Sequence, residues 1–233
     1  MINKLPESKE YIEKQISINN GLDKAYGKRA SKDGIYYPDY YFAPESNRIV
    51  FVLKETYSPV GDFAFSPVLD PDNTDAIVGT NRASKILVNT FGENGSLSGV
   101  GYVNISKKAM DLVGGKTNSK HSSLMKSYQR DNDYLRMQLK AMDPHYVICG
   151  GTFCFLWNDL LSIYGDLFYK VKFTSNPELN AHSDKELSLR RMKEKPFPVF
   201  IQTYQPSCSR NVFKCLPKVI EEYEKGEIEL DLY

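Results

Sequence analysis

Three short polar segments carry the residues best suited to chemistry, and each follows an apolar run. Lys54-Glu55-Thr56-Tyr57-Ser58-Pro59 follows Arg48-Ile49-Val50-Phe51-Val52-Leu53. Asn104-Ile105-Ser106 follows Gly101-Tyr102-Val103. Tyr204-Gln205-Pro206-Ser207-Cys208-Ser209 follows Pro198-Val199-Phe200-Ile201-Gln202-Thr203. A carboxylate, a carboxamide and a Pro-Ser turn thus stand just past three apolar runs. In open α/β sheets, ligands bind outside the carboxyl ends of the strands. If the three runs are neighbouring parallel strands, Glu55, Asn104 and Gln205 converge on one cleft.

The elements that must position them are legible from pattern. Short β-branched and apolar runs predict strands at Arg48–Leu53, Val100–Asn104, His145–Cys149 and Val199–Thr203. Helical periodicity predicts Thr80–Phe91, stopped by Gly92, and Ser122–Met142, ended by Asp143-Pro144. Gly150-Gly151 reads as a tight turn into a helix through Phe155, Leu156, Leu160 and Leu161, and Arg210–Tyr223 as a closing helix. Upstream, Ser8–Ile18 is weakly helical with Ser8 as its N-cap, and Gly21–Phe42 reads as an irregular lead-in. The long segment after the first strand carries Pro59, Gly61, Pro67 and Pro71, a length usually tied to function or to disorder, and its Phe63 and Phe65 argue against full disorder. Val171–Lys195 is polar and reads as an excursion. Strands alternating with helices imply right-handed βαβ units. The expected fold class is α/β: a three-layer α/β/α arrangement with a four-stranded, mainly parallel central sheet. Residues 48–233 would form this domain, with residues 1–47 packed on it as a helix and lead-in.

Composition narrows the function classes. The chain has 233 residues and a net charge of +1, so any nucleic-acid contact must come from a local basic face. Lys107, Lys108, Lys116, Lys120 and Lys126, with Arg190, Arg191, Lys193 and Lys195, are candidates for such a rim, although charge runs commonly mark solvated faces. Cys149, Cys154, Cys208 and Cys215 have no zinc or iron–sulfur spacing and read as reduced thiols. His121, His145 and His182 lack metal-ligand spacing. Gly114-Gly115-Lys116-Thr117 lacks the upstream Gly of a phosphate loop, and G-x-S-x-G does not occur. The first ten residues hold no apolar leader, and no run approaches the ~20 residues that span a bilayer. The expectation is a cytoplasmic monomer without metal, cofactor or membrane partner.

The motifs resemble those of the uracil-DNA glycosylase superfamily. Lys54-Glu55-Thr56-Tyr57 is similar to its first motif, Gly-Gln-Asp-Pro-Tyr-His, with Glu55 at the catalytic Asp and Tyr57 at the Tyr. Ala64-Phe65-Ser66 resembles the Cys-Phe-Ser segment whose Phe stacks on the flipped base. Val103-Asn104-Ile105 resembles the strand end whose Asn reads the base edge, and Gln205-Pro206-Ser207 the start of the last motif, His-Pro-Ser. His145–Cys149 with Gly150-Gly151 falls where the family has a similar strand and turn. Order and approximate spacing agree over about residues 48–223. The resemblance implies a DNA partner, single- or double-stranded, with a base taken out of the stack.

By this resemblance, Glu55 would stabilise an oxocarbenium-like sugar and orient water, and Gln205 would donate to the leaving base. Asn104, Phe65 and Tyr57 would hold the base, while Ser207, Ser209 and Arg210 would contact the DNA backbone. Each has an ordinary competing role. Glu55 is equally a solvated loop carboxylate, Asn104 a strand-end amide bonded to backbone, and Phe65 and Tyr57 packed loop aromatics. Ser207 and Ser209 can simply cap the next helix. The chain also departs from the family. Glu55 replaces Asp, Thr56 replaces Pro, and Gln205 replaces a His whose charged form would be the stronger donor. With no Cys before residue 149, it lacks the Cys pair of the iron–sulfur branches. A non-catalytic base-binding module of the same fold therefore stands beside the enzyme. A Rossmann-like nucleotide enzyme using the Gly150-Gly151 turn is the more distant alternative.

Overall fold

The computed structural model describes residues 5–31, 33–35, 38–54, 100–109, 120–164, 168–182, 186–204 and 215–232. Helix α1 (Pro6–Tyr26) starts on Pro6 in its first turn, where a missing N–H is harmless. It buries Ser8, Tyr11, Gln15, Ile18 and Leu22, a stripe at alternating three- and four-residue steps, and ends on Gly27. The expected helix was too short. Ser8 lies inside the first turn rather than capping it, and the stripe runs on to Leu22, into the supposed lead-in. That lead-in then forms strand β1 (Gly34–Ile35) and the short helix α2 (Pro38–Tyr41).

Four strands match expectation: β2 (Ile49–Leu53), β3 (Val100–Asn104), β4 (Tyr146–Gly150) and β7 (Val199–Thr203). They are parallel neighbours in the order β3-β2-β4-β7. Helix α3 (His121–Met142) connects β3 to β4 at its carboxyl end and stops at Asp143, in the left-handed region at φ 44°. Helix α4 (Phe153–Tyr164) follows β4 through Gly151, whose φ of 68° favours glycine. Helix α5 (Leu216–Glu224) follows β7, the described part of the expected Arg210–Tyr223 helix. The Thr80–Phe91 helix and the Pro-rich segment before it lie outside the described residues.

The sheet is larger than the four strands expected. Among the described residues it has eight, in the order β1-β3-β2-β4-β7-β6-β5-β8. β1 adds antiparallel to β3 at one edge, while β6 (Leu187–Met192), β5 (Phe168–Phe173) and β8 (Ile228–Leu232) extend the other in antiparallel fashion. Two of these strands occupy the supposed polar excursion at Val171–Lys195. In β5, Val171 and Phe173 are buried on one face while Lys170 and Lys172 alternate with them on the other, where only Phe168 at the strand's start is buried. High mean polarity masked a period of two, the pattern of a strand with one wet side.

Each face of the sheet has its own core. On one, Val50, Val52, Val103, Val147, Cys149 and Phe200 pack against Tyr11 of α1, Leu124, Tyr128, Leu135 and Met142 of α3, and Phe153 and Leu156 of α4. On the other, Phe51, Tyr146, Ile148, Val199 and Ile201 pack against Leu216, Val219, Ile220 and Tyr223 of α5. The central strands are apolar on both sides because both sides are covered. Gly101 lets β1 approach closely: a Cβ there would lie 3.0 Å from Ile35 Cγ1.

Candidate functional site

The parallel order brings the carboxyl ends of β2, β3, β4 and β7 to one edge. Leu53 stands opposite Asn104, and Gly150 opposite Thr203. Pairing between β2 and β3 continues beyond the strands, with Ile105 N–H donating to Leu53 O at 2.9 Å and Ser106 N–H to Lys54 O at 3.0 Å. Thr152 ties β4 to β2 by donating from Oγ1 to Val52 O at 2.8 Å. Glu55 comes directly after Lys54, and Gln205 directly after Tyr204. β2 and β7 flank β4, so their ends lie about 10 Å apart at ordinary strand spacing. Glu55, Tyr57, Phe65, Gln205, Ser207, Ser209 and Arg210 themselves lie outside the described residues.

Asn104 is described, and it sits in a buried polar cluster. It is only 4 % exposed. Its N–H donates to the Asp33 carboxylate, and its Nδ2 lies 3.4 Å from Ser31 Oγ in a long hydrogen bond. Lys107 donates from Nζ to the same Asp33 oxygen at 3.0 Å, and both side chains are essentially fully buried, at 0 % and 1 % exposure. Two helices fix the Asp33 backbone: Gln15 and Gln138 both donate to its carbonyl, at 3.1 and 3.0 Å. Ser31 N–H donates to Lys107 O at 2.8 Å, which clips the lead-in segment to the turn after β3.

A second carboxylate closes the cluster. Asp131 accepts from Lys107 N–H at 2.8 Å, from Arg130 Nη2 at 2.7 Å and from the Tyr26 hydroxyl. Burial raises the Asp131 pKa, but these donors outweigh it and hold the carboxyl below its usual range. Burial likewise dominates at Lys107 and pushes its pKa down, against the opposing pull of Asp33. Sequence reasoning missed Ser31, Asp33 and Asp131. They lie far from Asn104 along the chain and form no short motif with it.

The candidate basic rim divides when placed on the fold. Lys107 is not on a surface at all. Lys108 is half-buried and bridges to Ala30. Lys120 and Lys126 are exposed at the start of α3, which leads back from the carboxyl edge, while Lys116 lies outside the described residues. Beside them His121 stacks on Phe155 of α4, with ring centroids 4.8 Å apart. Arg190 is buried at 2 % exposure, over the rings of Phe153 and Trp157 at 4.8 and 5.8 Å. Its Nη1 donates to Ser188 Oγ at 2.7 Å and to Gln202 Oε1 at 3.1 Å. β6 runs opposite to β7, with Leu187 facing Thr203 and Arg190 facing Phe200. Arg191, Lys193 and Lys195 therefore lie toward the amino edge, away from Asn104, and cannot form a rim with it.

The Gly150-Gly151 turn is also engaged internally. Gly151 N–H donates to Thr203 O at 2.7 Å and to Cys149 O at 2.9 Å, so it is not offered to a phosphate. Cys149 is a buried free thiol and Cys154 an exposed one; burial pushes both pKa values up, which disfavours a reactive thiolate. Among the described residues, no group of three or more His, Cys, Asp or Glu side chains is arranged to hold a metal ion. No described helix is long and apolar enough to cross a membrane. No protein-family model and no curated protein matches this chain.

Proposed function

We propose that this chain is a DNA glycosylase-like protein that hydrolyses the N-glycosidic bond of uracil or another modified base in DNA. One observation carries the reading. The strands that lead into Glu55, Asn104 and Gln205 are parallel, and their carboxyl ends share one edge of the sheet. Bond cleavage develops positive charge at the sugar C1′ and negative charge on the departing base. A carboxylate is needed on the sugar side and a donor on the base side. Glu55 takes the first role and orients the water whose oxygen bonds to C1′, while the proton released ends on the base. Gln205 takes the second role. Asn104 reads the base edge, Phe65 stacks on the base, and Tyr57 walls the pocket. Ser207, Ser209 and Arg210 hold the backbone.

The anchoring of Asn104 supports the reading, because a recognition amide acts best when its own backbone is fixed. A second reading, a non-catalytic base binder, is favoured by Gln205. Its neutral amide stabilises a developing anion less well than a charged imidazole would.

Oligonucleotides, each with one test base, followed by alkaline cleavage of abasic sites, separate the two. The enzyme breaks the strand at one or more bases. Glu55→Ala then lowers excision at least 100-fold, on the order of the loss from removing a transition-state electrostatic partner, with oligonucleotide binding retained. Binding without strand breaks at any base would establish the binder instead.

A further inference from the structure

We propose that Asp33, pinned by Lys107 and assisted by Ser31, is a positioning residue for Asn104, so that the segment before β2 completes the base-reading site. This rests on the base-reading role of Asn104 given above. β1 pairs with β3 only at Gly34–Tyr102 and Ile35–Gly101. At Asn104 the strand's next edge donor has passed the end of β1. The Asp33 carboxylate takes that N–H in place of a backbone carbonyl.

The carboxylate is itself held from several sides. Lys107 Nζ binds the oxygen that accepts from Asn104, and Gln15 and Gln138 hold the carbonyl of the same residue. Lys107 is tied in turn through its N–H to Asp131 and through its carbonyl to Ser31. The Asn104 backbone is thus referred to α1 and α3 at once, and its Nδ2 faces Ser31 Oγ.

Stability alone is a poor account of this pair. Replacing a buried ion pair by well-packed apolar side chains is often neutral or stabilising. An ion pair converging on one strand-end amide N–H instead fixes where that strand end lies. Among the described residues, Asp33 Oδ1 is buried without a hydrogen-bond partner, so the carboxylate keeps acceptor capacity beside Asn104.

The test uses the full chain and the oligonucleotide whose base the wild type excises fastest, with the second-best base as comparison. If the wild type binds a base without excising it, Kd replaces kcat/KM as the readout with the same expected loss. The double variant Asp33→Asn/Lys107→Met removes both charges together and leaves an acceptor at position 33. Ser31→Ala changes the partner of the amide with no buried charge involved. With folding verified by circular dichroism and melting, the double variant should lose about 10- to 100-fold in kcat/KM, the scale expected for misplacing a site group by about 1 Å. The ratio between the two bases should shrink in both variants. Folded variants that keep wild-type kcat/KM and selectivity would overturn the proposal and leave a structural clasp. If the double variant does not fold, Ser31→Ala decides by the base ratio alone. A wild type that neither excises nor preferentially binds any tested base overturns the parent reading, and this one with it.

Discussion

Asp33 and Lys107 show how much one buried pair constrains. Neither side chain reaches solvent, and each is the other's charged partner at 3.0 Å. Removing one partner strands the other charge, at a loss of about 3–5 kcal/mol for such pairs. Asp33→Ala should therefore destabilise by that order in urea denaturation. Asp33→Asn/Lys107→Met should recover most of it, because no lone charge remains. At the carboxyl edge, Asn104 is the one predicted site residue within the described part of the chain. Its identity was readable from its place at a strand end. Its anchoring was not, because Ser31 and Asp33 reach it only through the pairing of β1 with β3.

At the scale of elements, β1 illustrates a strand too short to be read from pattern. Two residues offer no periodicity, yet Gly34–Ile35 forms the sheet edge that brings Asp33 to Asn104. Its docking depends on the absent side chain of Gly101, where a Cβ would meet Ile35 at 3.0 Å. Gly101→Ala should push β1 outward at a loss of about 1–3 kcal/mol, the usual range for overpacking. Hydrogen exchange should detect it as lost protection at the Asn104 and Ile35 amides, whose acceptors are Asp33 and the Tyr11 hydroxyl. β5 makes the complementary point, and β6 adds a buried arginine to it. Their Lys and Arg residues lower the mean hydropathy of the segment, while Val171, Phe173, Leu187 and Leu189 lie in the core and Arg190 is itself buried.

For the whole molecule, buried tyrosines set the alkaline limit. Burial pushes Tyr223 from 10.0 up to about 12, packed between α5 and the sheet. Tyr26 is likewise raised to about 12, first by desolvation and then by its hydrogen bond to Asp131. Above pH 10 the unfolded chain releases phenolic protons that the native chain retains, so stability falls as pH rises from about 10 to 12. Lys107 acts in the opposite sense, since its depressed pKa makes the native state easier to deprotonate. Phenols raised at Tyr11, Tyr41, Tyr128 and Tyr146 add to the tyrosine side. Melting temperature should drop steeply above pH 10, and Tyr223→Phe should flatten the slope. A melting curve independent of pH across that window would contradict this account.

Local chemistry in the chain determined the four parallel strands, the helices α3 and α4, and the turn at Gly150-Gly151. In each, apolar periodicity, Gly and Pro act within a few residues of one another. The order of strands, the antiparallel wings and the burial of Lys107 were decided only in three dimensions. A lysine in Ser106-Lys107-Lys108 carries no mark of burial in sequence. It becomes an interior residue because two carboxylate-bearing segments, distant along the chain, fold over it and replace its water. The same holds for Arg191, Lys193 and Lys195: they are surface-type residues by pattern, and the antiparallel run of β6 alone sends them to the edge opposite Asn104.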